Sequence, residues 1–379
     1  TGLSRRGSRV RVPSTPPDIN RCSRKAAAVF LCLVLMRPAL AACASSVRRG
    51  PLLGFDLLQV VGPVQESSVP GHAAIPLRRS SQIHPAPMNL IRLQIHPQHL
   101  ASFKAVAPVL SLLTGGVIAA WVYFSVASPQ RVGHYLTLHQ VLETLSIAVS
   151  ALVFAVGWKA HSLNPQRNVL ILACGFLGVA ILDFSHMLSF AGMPDYITPN
   201  SVAKGINFWL PARYLGALTL LAAVTLHWRV PGDAAAPGPG RFVVLMLVLT
   251  AVAAIHAVVF WFPQWYPQTY DDQGLTRFKI ASEYGVVALY AASLGVLLHW
   301  ARERAAFDVA RLFAAVWVMA LSEFFFTFYI IATDPFNLLG HIYKVVGYYY
   351  LYRAIFVGTI EAPYRVPVSL YTSPSPRDS

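Results

Sequence analysis

Eight apolar stretches follow one another along the chain after residue 100, and none of them has a polar face. Each extends for about twenty residues, the length that an α-helix needs to cross the hydrocarbon core of a bilayer. A soluble helix would instead carry polar residues on one face with a period of 3.6. The pattern predicts an all-α, polytopic transmembrane helical bundle. The predicted helices lie at about 105–127, 136–158, 168–190, 206–228, 242–262, 278–300, 309–332 and 337–358.

The composition agrees with a membrane protein. Of 379 residues, 55% are hydrophobic and 12% are charged, about half the charged fraction of an ordinary soluble domain. The net charge of +14 does not indicate nucleic-acid binding, because residues 1–92 hold thirteen basic and three acidic residues and so account for +10 of it. We therefore expect the lipid bilayer, and no nucleic acid, as a partner.

The two ends of the chain differ from the apolar region between them. The stretch "SRRGSRVRVPSTPP" near the start has no apolar period, and we interpret residues 1–87 as a spurious or disordered extension. Residues 88–134 form an N-terminal segment with the first membrane helix, and residues 135–364 form the main membrane domain. Residues 365–379 begin a linker and continue into a tail that resembles a translated sequencing adapter.

Two interpretations of the N-terminal region were weighed. Met88 is a suitable start, with read-through of non-coding sequence before it. Alternatively, residues 24–43 imitate a lipoprotein signal peptide that ends at Cys43. Arg37 interrupts its apolar part, however, and cleavage there would place the following chain outside the cell. The first interpretation is therefore preferred.

The loops between the predicted helices alternate in charge. Basic residues are concentrated in one set of loops, at Lys159, Arg167, Arg229, Arg241, Arg302, Arg304 and Arg311. The other set has four aspartates, fewer basic residues and more Trp, Tyr and Pro. Because basic loops remain on the cytoplasmic side of most membrane proteins, the alternation predicts that both termini are cytoplasmic.

Ionisable side chains interrupt several predicted helices, and they gather in the outer half of the bilayer. Each such side chain costs about 2.5–3.5 kcal/mol at mid-membrane unless it is paired. Four pairs are three or four residues apart and so share a helix face: His139/Glu143, Asp183/His186, Lys279/Glu283 and His341/Lys344. We predict an outward-facing polar pocket that binds a small ligand or ion. Its candidate residues are His139, Glu143, Asp183, His186, Arg213, Glu283, Glu323, His341 and Lys344.

Three other interpretations stay open. The ion pairs could serve only to hold helices together. A transporter would need a polar path across the inner leaflet, whereas the inner halves of the predicted helices are apolar. Transporters also often interrupt helices with Gly or Pro at mid-depth, and here Pro211 is the clear mid-helix proline. Suitable metal ligands are present at His139, Glu143, Asp183, His186 and His341. The chain lacks HExxH and CxxC motifs, and nearby cations favour a small-molecule or ion pocket over a metal. The sequence requires no cofactor, and the metal is unknown.

Four stretches resemble one family of bacterial membrane proteins. They are "LHQVLETLSIAVSALVF" (138–154), "ILDFSHMLSFAGM" (181–193), "FWLPARYLGAL" (208–218) and "NLLGHIYKVVGYYYLYRAIFVGTIEAPY" (337–364). Together they resemble the membrane-associated sensor domain, type three, over about residues 135–364. The resemblance implies an input module of the inner membrane whose ligand is undefined. It implies fusion on the C-terminal side to a histidine kinase, PAS or diguanylate cyclase domain, for two-component or cyclic-di-GMP signalling.

The resemblance also assigns roles to residues. The family's recurrent polar positions correspond to His139, Glu143, Asp183, His186, Arg213, Glu323, His341, Lys344 and Arg353. Lys344 is expected to supply charge to the ligand or to Glu323, and Arg353 to relay the signal along the last helix. No kinase, GGDEF or EAL signature occurs in the chain, so we expect no catalytic activity from this polypeptide. The parent would be a kinase or cyclase that forms a homodimer through its output domain.

Overall fold

The structure, a computed structural model, describes residues 95–126, 131–226, 228, 240–272, 274–305, 307–329 and 331–356. In these residues the chain is an all-α bundle, as predicted. Its helices are α1 (Pro97–Val126), α2 (Tyr135–Leu163), α3 (Arg167–Leu188), α4 (Val202–Thr225), α5 (Arg241–Trp261), α6 (Arg277–Trp300), α7 (Val309–Phe328) and α8 (Pro335–Phe356). The interpretations of residues 1–87 and 365–379 concern residues outside the described ranges.

Short segments of other secondary structure join α5 to α6. A 3-10 turn covers Pro263–Trp265, and two strands follow, β1 (Tyr270–Asp271) and β2 (Gly274–Leu275). The strands pair antiparallel, with Tyr270 opposite Leu275. Thr276 then caps α6, because its side chain accepts a hydrogen bond from the backbone N–H of Lys279.

Seven of the described helices, α1 to α7, are long and apolar enough to cross a membrane, by length and composition. The eighth predicted span corresponds to α8, which does not reach the same apolarity. Its 22 residues include His341, Lys344, Arg353 and several tyrosines. The predicted helix positions otherwise agree with the structure to within a few residues, except that α1 begins at Pro97, well before the predicted 105.

Helix α7 forms the centre of the bundle, and α1, α6 and α8 pack against it. Nearly all of its side chains are buried. Helix α8 approaches α7 closely at Gly340, where an added Cβ would lie 2.5 Å from the ring of Phe326. Small residues allow such close approach between membrane helices. Helices α2, α3 and α4 continue the bundle on the other side of α8, and α5 packs at the edge against α3 and α4.

Backbone contacts identify the two ends of the bundle. The N–H of His96 donates to the carbonyl of Ala301 (2.8 Å), so the start of α1 lies beside the loop between α6 and α7. At the other end, the N–H of Val132 donates to the carbonyl of Thr333 (3.0 Å). We call the end with the starts of α1, α3, α5 and α7 the basic end, and the end with the starts of α2, α4, α6 and α8 the aspartate end. Which end faces the cytoplasm stays a prediction.

The loop before α4 is held at the aspartate end by polar contacts. Lys204 Nζ donates to the carbonyls of Tyr196 (2.5 Å) and Thr198 (2.8 Å). Asn200 Nδ2 donates to the carbonyl of Leu188 (2.8 Å), which ties the loop to the end of α3. These bonds fix the first turn of α4, and therefore the backbone carbonyl of Gly205.

Candidate functional site

The predicted polar residues meet in one buried layer in the half of the bundle nearer the aspartate end. Every member is at most 5% exposed, so none of these side chains is solvated by bulk water. The polar layer comprises His139 and Glu143 on α2, Asp183 and His186 on α3, Arg213 on α4, Lys279 and Glu283 on α6, Glu323 on α7, and His341 and Lys344 on α8.

A chain of ion pairs joins four helices through this layer. Lys344 Nζ donates to both carboxylate oxygens of Glu143 at 2.7 Å and lies 3.3 Å from Asp183 Oδ2. Arg213 Nη2 donates to the two oxygens of Asp183 at 2.6 and 2.8 Å. Charge-assisted bonds of this length are among the strongest in proteins. The last helix is thereby connected to α2 and α3 by a single ammonium group.

A second ion pair lies on α6. Lys279 Nζ is 2.5 Å from Glu283 Oε1, four residues further along the helix, and donates to the carbonyl of Phe326 (2.7 Å). Glu323 on α7 lies between the two groups of ion pairs, where it interacts electrostatically with Arg213 and Lys279. Its Oε2 atom is buried and has no hydrogen-bond partner. Glu323 is therefore the carboxylate of the layer for which the described residues show no direct ion pair.

Trp209 lies at the centre of the layer, and the sequence interpretation did not include it. Its ring lies 4.4 Å from the Arg213 guanidinium carbon and 4.8 Å from Lys344 Nζ, within cation–π range. The available signal was its spacing: Trp209 precedes Arg213 by four residues and so shares its helix face.

Three histidines form the edge of the layer nearest the aspartate end. His139 Nε2 lies 3.3 Å from His186 Nε2, and His341 Nε2 lies 3.0 Å from Glu143 Oε1. The His139 ring packs on Phe190 with 4.2 Å between centroids. Sequence spacing predicted that each pair would share a face, but it could not show that imidazoles from three helices converge.

The layer is buried inside the bundle and is not an open vestibule. The outward-facing pocket at this layer stays a prediction. Among the described residues, one narrow cleft reaches the layer, and it has room for about two water molecules. Partly exposed Val202 and Ala332 line it near the aspartate end, and His186 and His341 line its inner part.

Two further expectations concern α8. Lys344 hydrogen-bonds Glu143 and Asp183, and it also interacts electrostatically with Glu323. Arg353 is half-buried and lies nine residues beyond Lys344 on α8, about 14 Å along the helix. Arg353 is therefore separated from the polar layer, and its role as a signal relay stays a prediction. His256 on α5 lies outside the layer and hydrogen-bonds Ser185 Oγ (2.7 Å).

Comparison with known proteins identifies the family. The sequence profile described as the membrane-associated sensor domain, MASE3, matches residues 130–363, well over half of the chain and all of the polar layer. No curated protein and no solved structure gives a significant match. The matched region begins before α2 and ends beyond α8, so it includes every helix that contributes to the layer. The chain belongs to the membrane-associated sensor domain family.

Proposed function

We propose that the chain is the input module of a bacterial signalling protein in the inner membrane, with both termini in the cytoplasm. A small ligand or ion binds at the polar layer, and α8 carries the change to a cytoplasmic histidine kinase or diguanylate cyclase domain. The output domain would bring two copies together as a homodimer. Membership of a membrane sensor family supports the sensory role, and the layer supports the location of the ligand.

One observation carries the proposal: Lys344 of the last helix holds Glu143 of α2 and Asp183 of α3 at the same time. A ligand that competes for either carboxylate changes what holds α8 in place. Ligand binding shifts a conformational equilibrium only if the two states bind the ligand differently. Because Lys344 is shared between α2 and α3, a ligand that replaces it at one carboxylate would bind differently to the two positions of α8.

The structure favours binding over transport. On the basic-end side of the layer, the buried residues that the structure describes include no Asp, Glu, Lys or Arg. Most of those on α3 and α7 are apolar, among them Leu172, Phe176, Ala315 and Val316. Helix α4 is unbroken through Pro211, whereas transporter sites are typically built from interrupted helices. The layer therefore has the form of a blind site.

The test is replacement of Lys344 by methionine in the chain fused at its C-terminal end to a diguanylate cyclase domain. Loss of the ammonium leaves Glu143 without its closest cation and releases α8, so cyclase output should change by about fivefold or more, the lower range of allosteric coupling. Cyclic-di-GMP in membranes that contain equal amounts of fusion protein is the measurement.

The matched control is Lys104→Met, which removes an exposed ammonium from α1. This variant should leave output unchanged. If Lys344→Met inserts normally and gives the same output as Lys104→Met, the polar layer does not control α8 and the proposed function is wrong.

A further inference from the structure

A group of four side chains at one edge of the polar layer has the composition of a metal site. The ligand atoms of His139, Glu143, His186 and His341 all lie within 4.8 Å of one another, and all four residues are buried. Helix α2 supplies two of them at positions i and i+4, while α3 and α8 supply one each. We call these residues the imidazole cluster.

Hydrogen bonds orient two of the imidazoles toward the centre of the cluster. His186 Nδ1 lies 2.8 Å from the carbonyl of Gly205, and His341 Nδ1 lies 2.7 Å from the carbonyl of Asn337. Because a carbonyl only accepts, each Nδ1 carries a proton, and Nε2 is the nitrogen that faces the cluster. Metal-bound histidines are usually held in this way by a partner on the other nitrogen.

Two buried nitrogens of the cluster have no hydrogen-bond partner, His341 Nε2 and His139 Nδ1. His341 Nε2 lies 3.0 Å from Glu143 Oε1 but is not aligned for a hydrogen bond. His186 Nε2 and His139 Nε2 share one hydrogen bond at 3.3 Å. A buried polar atom without a partner is unfavourable. A cation among the three Nε2 atoms would give His341 Nε2 the partner that it lacks.

The distances suit a small tetrahedral ion. Bonds of about 2.0–2.2 Å place the ligand atoms of such an ion about 3.3–3.6 Å apart. Two separations in the cluster, 3.3 and 3.0 Å, are already near this value. The widest separation is at most 4.8 Å, which requires a contraction of no more than about 1.2–1.5 Å. His139 has the freedom to adjust, because its Nδ1 has no partner.

The neighbouring cations do not oppose an ion at this point. Arg213 is engaged by Asp183, and Lys279 by Glu283. Lys344 contacts both oxygens of Glu143. Lys344 also lies 3.3 Å from Asp183 Oδ2, so two carboxylates share its positive charge. Each permanent cation of the layer is thus close to a carboxylate, which reduces its repulsion of an ion in the cluster.

We infer that the ligand of the sensor is a divalent transition-metal ion of the zinc class, bound by His139, Glu143, His186 and His341. Three imidazoles and one carboxylate suit zinc and its neighbours, whereas calcium and magnesium prefer six or more oxygens. The ion competes with Lys344 for Glu143, and α8 also supplies His341, so occupancy is coupled to the last helix. The cleft past Val202 and Ala332 provides entry. This inference rests on the proposed sensory function.

The test is metal retention by the full chain, purified in detergent, loaded with ZnCl2 and separated from unbound zinc by gel filtration. Elemental analysis should find about one zinc per chain, as for a single closed site. Cobalt loading should give the visible absorption of tetrahedral Co²⁺. The variants His186→Ala and His341→Ala each remove one ligand. Loss of a residue that only orients a ligand typically weakens metal binding by about 10- to 100-fold, so each variant should weaken zinc binding by at least this factor.

The matched control is His256→Ala, which removes a half-buried imidazole outside the cluster and should retain zinc. Circular dichroism and elution volume show whether each variant folds. If the two histidine variants do not fold, zinc binding is measured for Glu143→Gln instead. A folded wild-type chain that retains no zinc, or the same zinc content in His186→Ala as in His256→Ala, overturns the inference.

The fusion protein separates this inference from the proposed function. If Lys344→Met alters output but the chain retains no zinc, the metal inference fails and the sensory function stands. If zinc is retained by the imidazole cluster but neither zinc nor Lys344→Met changes output, the metal site stands and the sensory function fails.

Discussion

Replacement of Arg213 by methionine should lower the free energy of unfolding by about 3–5 kcal/mol, the usual cost of removing one partner from a buried ion pair. Arg213 donates to both oxygens of Asp183 at 2.6 and 2.8 Å, and both side chains are almost inaccessible. Without the guanidinium, Asp183 would keep only the 3.3 Å contact with Lys344. The measurement is unfolding by SDS in mixed micelles, followed by circular dichroism.

Two variants make this result specific to the ion pair. Lys104→Met removes an exposed charge from α1 and should change stability by no more than about 0.5 kcal/mol. The double variant Arg213→Met with Asp183→Asn leaves no uncompensated carboxylate at this position. It should be less destabilised than the sum of the two single variants, by about 0.5–3 kcal/mol. Simple additivity would mean that the two residues do not depend on each other.

Replacement of Gly340 by alanine should destabilise the bundle by about 1–3 kcal/mol, the usual cost of an added methyl group in a well-packed core. The new Cβ would lie 2.5 Å from Cζ of Phe326, whose ring packs against Trp209 with 4.4 Å between centroids. Ser322 Oγ donates to the carbonyl of Gly340 (2.8 Å), so α8 cannot retreat without losing this bond. The same SDS titration measures the effect.

Gly295→Ala is the matched control, because an added Cβ on this α6 residue has no atom within 4 Å. Alanine there should be neutral or stabilising by up to about 1 kcal/mol, since it favours the helix more than glycine does. Combining Gly340→Ala with Phe326→Leu should recover part of the lost stability. Equal stability of Gly340→Ala and Gly295→Ala would show that α7 and α8 are not tightly packed at this level.

The helical architecture and the depth of the polar residues could be predicted from the sequence. Apolar runs with no polar face imply membrane helices, and charged pairs such as Lys279 and Glu283 at i,i+4 imply one shared face. The structure places that pair 2.5 Å apart. Both inferences depend on local sequence alone, which explains why they could be made without knowing how the helices pack.

The partners across helices could not be predicted in the same way. Lys344 bonds Glu143 and Asp183 because of the rotation of α8 about its axis, which depends on packing at Gly340 and not on local sequence. Trp209 is uncharged and was not predicted as a site residue, yet its ring contacts both Arg213 and Lys344. Closure of the layer follows from the sum of these pairings, which no single helix encodes.

The bond between Lys344 and Glu143 joins residues 201 positions apart in the chain. At the usual rate of about 5–20 residues per second, a ribosome needs about 10–40 s to synthesise the segment between them. During this interval α2 carries a carboxylate whose ammonium partner has not been made, although Asp183 receives Arg213 after only 30 residues. Helix α2 should therefore remain near the membrane surface, or in contact with the insertion machinery, until α8 emerges. Assembly of the polar layer is thus a late step in folding of the membrane bundle. A ribosome that stalls before α8 leaves Glu143 of α2 without its ammonium partner, a defect that quality control can recognise.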